Sequence, residues 1–289
     1  MNAIDRLIRL LELEPEGSGR FRGHSPRGRK HRIFGGQVVA QALVAAARTG
    51  GALCPHSIHA YFLRPGDPAE PIRFEVEEIR TGRRFGTRGV AASQDGRPIL
   101  RAMVSLHQPE PGFDHQDPML EAPPPETVPS TESQVRDIES RLPEAYRKLD
   151  LAERPIELRP VAPTDPFAPD KREPRQLVWL RATGPMPDDP LVHQAVLAHA
   201  SDMTLLGTCL RPHGVSWLSP ELESASLDHA IWFHRPFRAD EWLLYAQESP
   251  SAAGALGLNR GSLFTREGVL VATVTQEALV RIRPEPSPL

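Results

Sequence analysis

Asp228-His229 is a pair with the residue types for acid–base chemistry. A carboxylate beside an imidazole can orient it and favour its charged form. These two are neighbours in a strand-like run, and adjacent strand residues point to opposite faces. They therefore read as structural rather than as a dyad. Metal chemistry fares no better. His193 and His199 are six apart, off a common helix face. The run "DHQD" at 114–117 sits in a proline-rich stretch and reads as solvated loop. No G-x-S-x-G elbow occurs, so a Ser-His-Asp hydrolase lacks its strongest signature. Cys209 has His213 nearby, but a small apolar core role suits it better. Arg83, Arg84 and Arg88 near a strand can meet phosphate oxygens or line a solvated strand edge. Gly35-Gly36 opens a helix whose N-terminal N–H groups can hold an anion, and glycine admits a close approach.

The elements that must position such groups are written twice. "CPHSIHAYFLRPGD" and "SASLDHAIWFHRPF" both run small polar residues into an aromatic strand ending at Arg-Pro. Matching Arg64-Pro65 to Arg235-Pro236 brings Tyr61-Phe62 onto Trp232-Phe233. Later, Asp95-Gly96 and Glu267-Gly268 are hairpin-turn signals before a further strand in each half. There Leu100, Ala102 and Val104 match Leu270, Ala272 and Val274, with one residue of slippage between blocks. Under that match Leu106 falls on Gln276 and Pro55 on Ser226. Each repeat follows a helix rich in small apolar residues, "GGQVVAQALVAAAR" and "DDPLVHQAVLAHASDMTLL". The first is apolar nearly all round, which marks a buried helix. In the second, Asp188 or Asp189 is the N-cap and Pro190 the first helical residue. A sheet wrapped around a helix satisfies both elements, and two such units can join their exposed edges into one sheet.

The spacing predicts three segments: a repeat at 1–112, a linker at 113–174 and a second repeat at 175–289. The linker holds twelve of the 31 prolines, with one helical island, "TESQVRDIESRLPEAYRKLDLA". Ile4, Leu7, Ile8 and Leu11 predict an amphipathic N-terminal helix lying on the body of the protein, not a signal peptide.

The 289 residues are 39% hydrophobic and 25% charged, as in ordinary soluble proteins. A formal charge of -3 offers no electrostatic case for nucleic acid or anionic membrane. No apolar run approaches the ~20 residues of a membrane span. Two cysteines, Cys54 and Cys209, make no disulfide framework and fit a reducing compartment. The final "SPL" lacks the basic residue of a peroxisomal address, and a cytoplasmic location is the expectation.

The blocks "RIFGGQVVAQAL", "HSIHAYFLRPGD", "SDMTLL", "LDHAIWFHRPF" and "TQEALVR", in this order from about Phe21 to Arg283, resemble the acyl-CoA thioesterase II family. The resemblance implies an α+β fold, the double hotdog: two tandem repeats, each a long central helix wrapped by an antiparallel sheet, joined into one continuous sheet. It implies hydrolysis of fatty acyl-CoA to fatty acid and CoA, with no metal or separate cofactor. The family's Asp, hydroxyl residue and Gln carry over onto Asp202, Ser226 and Gln276. Many relatives have Thr at the hydroxyl position; Ser keeps the oxygen but loses the stiffening β-branch. Asp202 would accept a proton from water while Ser226 and Gln276 orient it. Gly36 becomes a candidate oxyanion donor, and Arg83, Arg84 and Arg88 candidate contacts for the CoA phosphates. The N-terminal repeat, without a matching trio, would be structural. Homo-oligomerisation is a further expectation. Competing readings are a hotdog enoyl-CoA hydratase and a non-catalytic acyl-CoA binding protein.

Overall fold

The computed structural model describes residues 1–26, 32–138 and 154–283. These contain helices α1 (Ala3–Leu11), α2 (Gly35–Ala47), α3 (Thr131–Ile138) and α4 (Pro190–Ser201). In α1, Asn2 accepts from the Asp5 N–H at 2.8 Å while the Asp5 carboxylate accepts from the Asn2 N–H at 3.3 Å. Such a reciprocal cap contributes about 1 kcal/mol. Ile4, Leu7 and Leu11 are buried, and Ile8 packs beside them half-buried. Helix α2 is buried at every position from Gly36 to Ala46, as its all-round apolarity predicts. Helix α4 starts at Asp189, whose carboxylate accepts from the Leu191 N–H at 2.9 Å. Asp188 pairs with Arg238 instead. The α3 helix covers the start of the expected island; the rest of the island, and the chain end "SPL", lie outside the described residues.

The strands are β1 (Glu14–Pro15), β2 (Arg20–Gly23), β3 (Cys54–Phe62), β4 (Ile72–Thr81), β5 (Phe85–Gln94) and β6 (Arg97–His107), then β7 (Ile156–Pro160), β8 (Arg175–Ala182), β9 (Leu222–Ser226), β10 (Asp228–Phe233), β11 (Leu243–Ala253), β12 (Leu256–Thr265) and β13 (Leu270–Ile282). They form one antiparallel sheet in the order β1-β2-β4-β5-β6-β3-β10-β13-β12-β11-β8-β7, with β9 on β13. The two units meet at β3 and β10, where Ile58 pairs with Ile231. That contact removes one edge from each unit. Both helices and the inner strand faces share a single apolar core, so the fold is the double hotdog.

The linker region contributes more than a connection. Strand β7 extends the sheet edge beside β8, where composition suggested only linker and helix. Upstream, Asp114 and the His115 carbonyl meet Arg235. Gln116 donates to the Gly268 carbonyl at 2.7 Å and accepts from the Leu270 N–H at 3.0 Å. The "DHQD" run is exposed loop, as expected, and also a clasp on the β12–β13 turn. Trp179, Trp242, Leu244 and Val128 make a second, smaller cluster under the prolines.

The ladder fixes the repeat more finely than the sequence match does. The Leu63 N–H donates to the Ile99 carbonyl, and the His234 N–H to the Val271 carbonyl, both at 2.8 Å. Ala60 pairs with Ala102, and its counterpart Ile231 with Val274. Leu100 therefore corresponds to Ala272, and Val104 rather than Leu106 corresponds to Gln276. Alternating strands match equally well when slid by two residues, so apolar pattern alone could not set this register. The match of Pro55 to Ser226 is supported independently. A one-residue register shift lies between Pro55 and Ser57 on β6, and another between Ser226 and Asp228 on β13.

Candidate active site

The irregularity after Ser226 decides which side chains converge. Ser226 pairs with Ala278, whereas Ala230 pairs with Thr275, one residue out of step. The extra residue sits at Leu227–Asp228, a β-bulge between β9 and β10. There the Leu227 N–H donates to the Glu277 carbonyl at 2.9 Å. The Asp228 carboxylate accepts from the Glu277 N–H at 2.6 Å, standing in for the interrupted ladder. Without the bulge, Ser226 and His229 would point to opposite faces, being three residues apart. With it, both turn inward, alongside Gln276 on β13. Asp228 is left on the other side, spent on backbone. Asp228 and His229 thus form no acid–base dyad, as strand alternation predicted.

Asp202 arrives from a different element. It is the C-cap of α4 and is half-buried. Its Oδ2 accepts from the Gly36 N–H at 2.8 Å, at the first turn of α2. Its Oδ1 accepts from Gln276 Nε2 at 2.7 Å and from Ser226 Oγ at 3.4 Å. Gln276 Nε2 also donates to Ser226 Oγ at 2.5 Å. The three residues named from sequence are therefore one hydrogen-bonded cluster, with Gly36 as a fourth member. Gly36 does not act as sequence reasoning proposed. Its N–H holds the carboxylate instead of standing free for an oxyanion. The positive end of the α2 dipole faces that carboxylate. Only glycine permits this approach: a Cβ on Gly36 would lie 2.5 Å from the His199 carbonyl oxygen and 3.1 Å from Asp202 Cβ.

Around the cluster is a shell that sequence reasoning did not assemble. Ser201, just before Asp202, is fully buried. Its carbonyl accepts from the Tyr245 hydroxyl at 3.1 Å, and its Oγ lies 2.9 Å from His229 Nε2. Tyr245 reaches this far because Gly261 faces its ring; a Cβ there would be 2.4 Å from Tyr245 Cε2. Burial, reinforced by Asp202, pushes the Tyr245 phenol well above its usual range. Burial pulls the His229 imidazole below its usual value, against the opposing pull of Asp202. Both groups are thus neutral near pH 7, a phenol that donates and an imidazole with one N–H.

The arginines do not join. Arg83 and Arg84 are exposed at the β4–β5 turn of the first unit, where Arg84 pairs with Glu110. Strands β6, β3 and β10 intervene between β5 and β13. Arg88 is 1% exposed. It donates to Thr49 Oγ1 at 3.0 Å, to the Thr49 carbonyl at 2.9 Å and to the Arg80 carbonyl at 2.8 Å. Its fork closes the end of α2 and is not available to a phosphate. His193 and His199 are buried, and His193 Nδ1 accepts from the Ala239 N–H at 3.0 Å. Cys209 is buried, with its thiol raised by burial, as a core residue should be. Among the described residues no three His, Cys, Asp or Glu side chains gather as metal ligands. Among them, too, no helix is long and apolar enough to cross a membrane.

Residues 145–279 match the family described as acyl-CoA thioesterase, and residues 24–107 match the acyl-CoA thioesterase N-terminal domain. The human protein named acyl-coenzyme A thioesterase 8 is 42% identical, over 96% of this chain and 89% of its own. The crystal structure of an acyl-CoA thioesterase II from Mycobacterium marinum is 41% identical with a TM-score of 0.77, covering 96% of this chain and 99% of that one. A hot dog fold protein of unknown function from Alicyclobacillus acidocaldarius shares only 18% identity yet has a TM-score of 0.78, over 98% and 99% of the two chains. That likeness concerns the fold alone.

Proposed function

The chain belongs to the acyl-CoA thioesterase family, and we propose that Asp202, Ser226 and Gln276 are the groups with which it hydrolyses acyl-CoA thioesters. The observation that carries this reading is the convergence of α4, β9 and β13 on one carboxylate oxygen, while the start of α2 holds the other oxygen. Anchored at both oxygens, the carboxylate cannot rotate away, which lowers the entropic part of the barrier.

In the reaction, a water oxygen attacks the thioester carbonyl carbon as its proton passes to the Asp202 carboxylate. Ser226 orients that water, and Gln276 holds the Asp202 carboxylate and the Ser226 hydroxyl in place. The tetrahedral intermediate collapses with cleavage of the C–S bond. The departing sulfur takes the proton back from Asp202, so the enzyme is regenerated and the products are a carboxylic acid and CoA. No metal or bound cofactor takes part in this scheme.

The test is thiol release from acyl-CoAs of increasing chain length, with two variants alongside. Asp202→Asn removes the base and is expected to lower kcat by about 10²–10⁴-fold. Ser226→Ala removes an orienting contact and is expected to lower it by about tenfold, the effect of one hydrogen bond on a barrier. Near-wild-type turnover by folded Asp202→Asn would refute the assignment of the base. Tight binding of acyl-CoA without any release would return the protein to the non-catalytic reading.

A further inference from the structure

Besides Asn259 Oδ1, two buried polar atoms near the cluster have no hydrogen-bond partner of good geometry among the described residues: His229 Nδ1 and Gln276 Oε1. A buried polar group left unpaired is costly, and such exceptions call for an explanation. These two are complementary. The β10–β13 ladder pairs Ala230 with Thr275, and its next step sets His229 across from Gln276. Both side chains are 0% exposed on the inner face of the sheet. Gln276 has already committed its Nε2 to Asp202 and Ser226. Its amide therefore cannot turn over without presenting oxygen to a carboxylate. Its Oε1 needs a donor from the other side. Asn259, opposite Gln276 on β12, directs its Nδ2 to the Gly257 carbonyl at 3.2 Å, and no bond joins it to Gln276 Oε1.

We propose that His229 is a positioning residue: its Nδ1–H donates to Gln276 Oε1 and locks the amide with Nε2 aimed at Asp202 and Ser226. This inference rests on the proposed roles of the trio. The proposal fixes the tautomer. A neutral imidazole carries one N–H. If that proton sat on Nε2, Nδ1 and the Gln276 oxygen would face each other as two acceptors. With the proton on Nδ1, Nε2 accepts from the Ser201 hydroxyl at 2.9 Å, whose proton then turns from the Ala198 carbonyl 3.0 Å away. Burial, which disfavours the imidazolium, agrees with a single N–H here. His229 thereby ties together both arms of the site. It grips Ser201, the residue before Asp202, on one side and Gln276 on the other.

The experiment compares His229→Asn, His229→Gln and His229→Ala by steady-state thiol release, with thermal unfolding measured for each. An Asn amide can reproduce the Nδ1 donor, whereas a Gln amide reaches the Nε2 position and cannot. The expected result is a kcat within about threefold of wild type for His229→Asn. His229→Gln and His229→Ala should lose about 10–100-fold in kcat at unchanged KM, the scale of one or two misplaced hydrogen bonds. Adding His229→Ala to Gln276→Ala should cost less than the two single losses multiplied, since the histidine acts through the amide as well as on Ser201. Equal losses in the Asn and Gln variants, or independent losses in the double variant, would overturn the inference. So would an unaffected His229→Ala. The Gln276→Ala control separates the two levels: full activity there would refute the role of the trio itself, whatever the histidine variants do. Should His229→Ala fail to fold, the comparison of Asn with Gln, both polar and amide-bearing, decides alone.

Discussion

Gly36→Ala tests whether the joint between the two helices sets the position of Asp202. The new Cβ would lie 2.5 Å from the His199 carbonyl oxygen, 2.7 Å from Phe34 Cε1 and 3.1 Å from Asp202 Cβ. The first of these is a backbone atom of α4 and cannot swing aside. Relief requires the start of α2 to retreat by roughly 0.5–1 Å, since ordinary C···O and C···C contacts lie near 3.5 Å. That retreat stretches the 2.8 Å bond from Gly36 N–H to Asp202 Oδ2 past the useful range. Overpacking of this kind costs about 1–3 kcal/mol. For a chain of this size each kcal/mol lowers Tm by about 2–4 °C, so a fall of about 2–12 °C is expected. The effect on turnover should be larger than the effect on folding. A carboxylate displaced by an ångström loses about 10²-fold in kcat. Differential scanning calorimetry reads the first quantity and thiol release the second. Gly112→Ala, with no atom within 4 Å of the added carbon, is the control and should change neither. Unaltered kcat and Tm in Gly36→Ala would refute the claim that this glycine holds the carboxylate in place.

Two further outcomes follow from buried charge. Arg88→Met should unfold at markedly lower temperature, because the carbonyls of Thr49 and Arg80 lose their donor, at about 1–3 kcal/mol for each orphaned group. Its KM for acyl-CoA should not change; a clear rise in KM would restore Arg88 to the phosphate contacts. The second outcome concerns pH. Burial lowers the pKa of His229 in the folded state. Below the unfolded-state value of about 6.5, the unfolded chain takes a proton that the folded chain refuses. Stability contributed by neutral His229 is therefore full above that pH and is lost as pH falls through it, by at most about 1.4 kcal/mol per pH unit. His56, His193 and His234 are lowered by burial in the same direction. Urea unfolding between pH 7 and pH 5 should show a smaller slope in His229→Asn than in wild type, and identical slopes would remove the histidine from this account.

Much of the architecture was legible because apolar pattern and repetition are global signals. An all-apolar helix has to be buried, and two copies of a strand phrase ending in Arg-Pro announce two units. The site was legible only in part, because it depends on features that pattern does not carry. Asp202, Ser226 and Gln276 lie on three elements far apart in the chain, and it was resemblance rather than periodicity that joined them. Residue alternation, taken strictly, sends Ser226 to the face away from His229. The bulge at Leu227–Asp228 reverses this, and its sequence signature is no more than an Asp able to cap the Glu277 N–H. Strand β7 was hidden in a proline-rich segment, where its Ile156 and Leu158 alternation is only five residues long. Arg88 read as a surface charge because side-chain type predicts exposure, and only the unpaired carbonyls at the end of α2 explain its burial.

The comparison of the two units shows how their side chains differ at matching positions. The bulge is present in both, so the backbone that turns Ser226 inward is duplicated at Pro55. What differs is the side chains. Pro55 has no hydroxyl, Val104 has no amide where Gln276 has one, and the C-cap of α2 is Arg48 where that of α4 is Asp202. Asn259, the ladder partner of Gln276, has Arg88 as its counterpart, the ladder partner of Val104. Thus the guanidinium that closes the first unit occupies the row that holds polar amides in the second. A buried cation saturated by carbonyls stabilises a helix end and leaves no free acceptor or base. The second unit instead keeps a carboxylate that can accept a proton, and borrows the N-terminus of the first unit's helix to hold it. The Gly36–Asp202 contact joins the two halves, so the proposed site draws on both repeats.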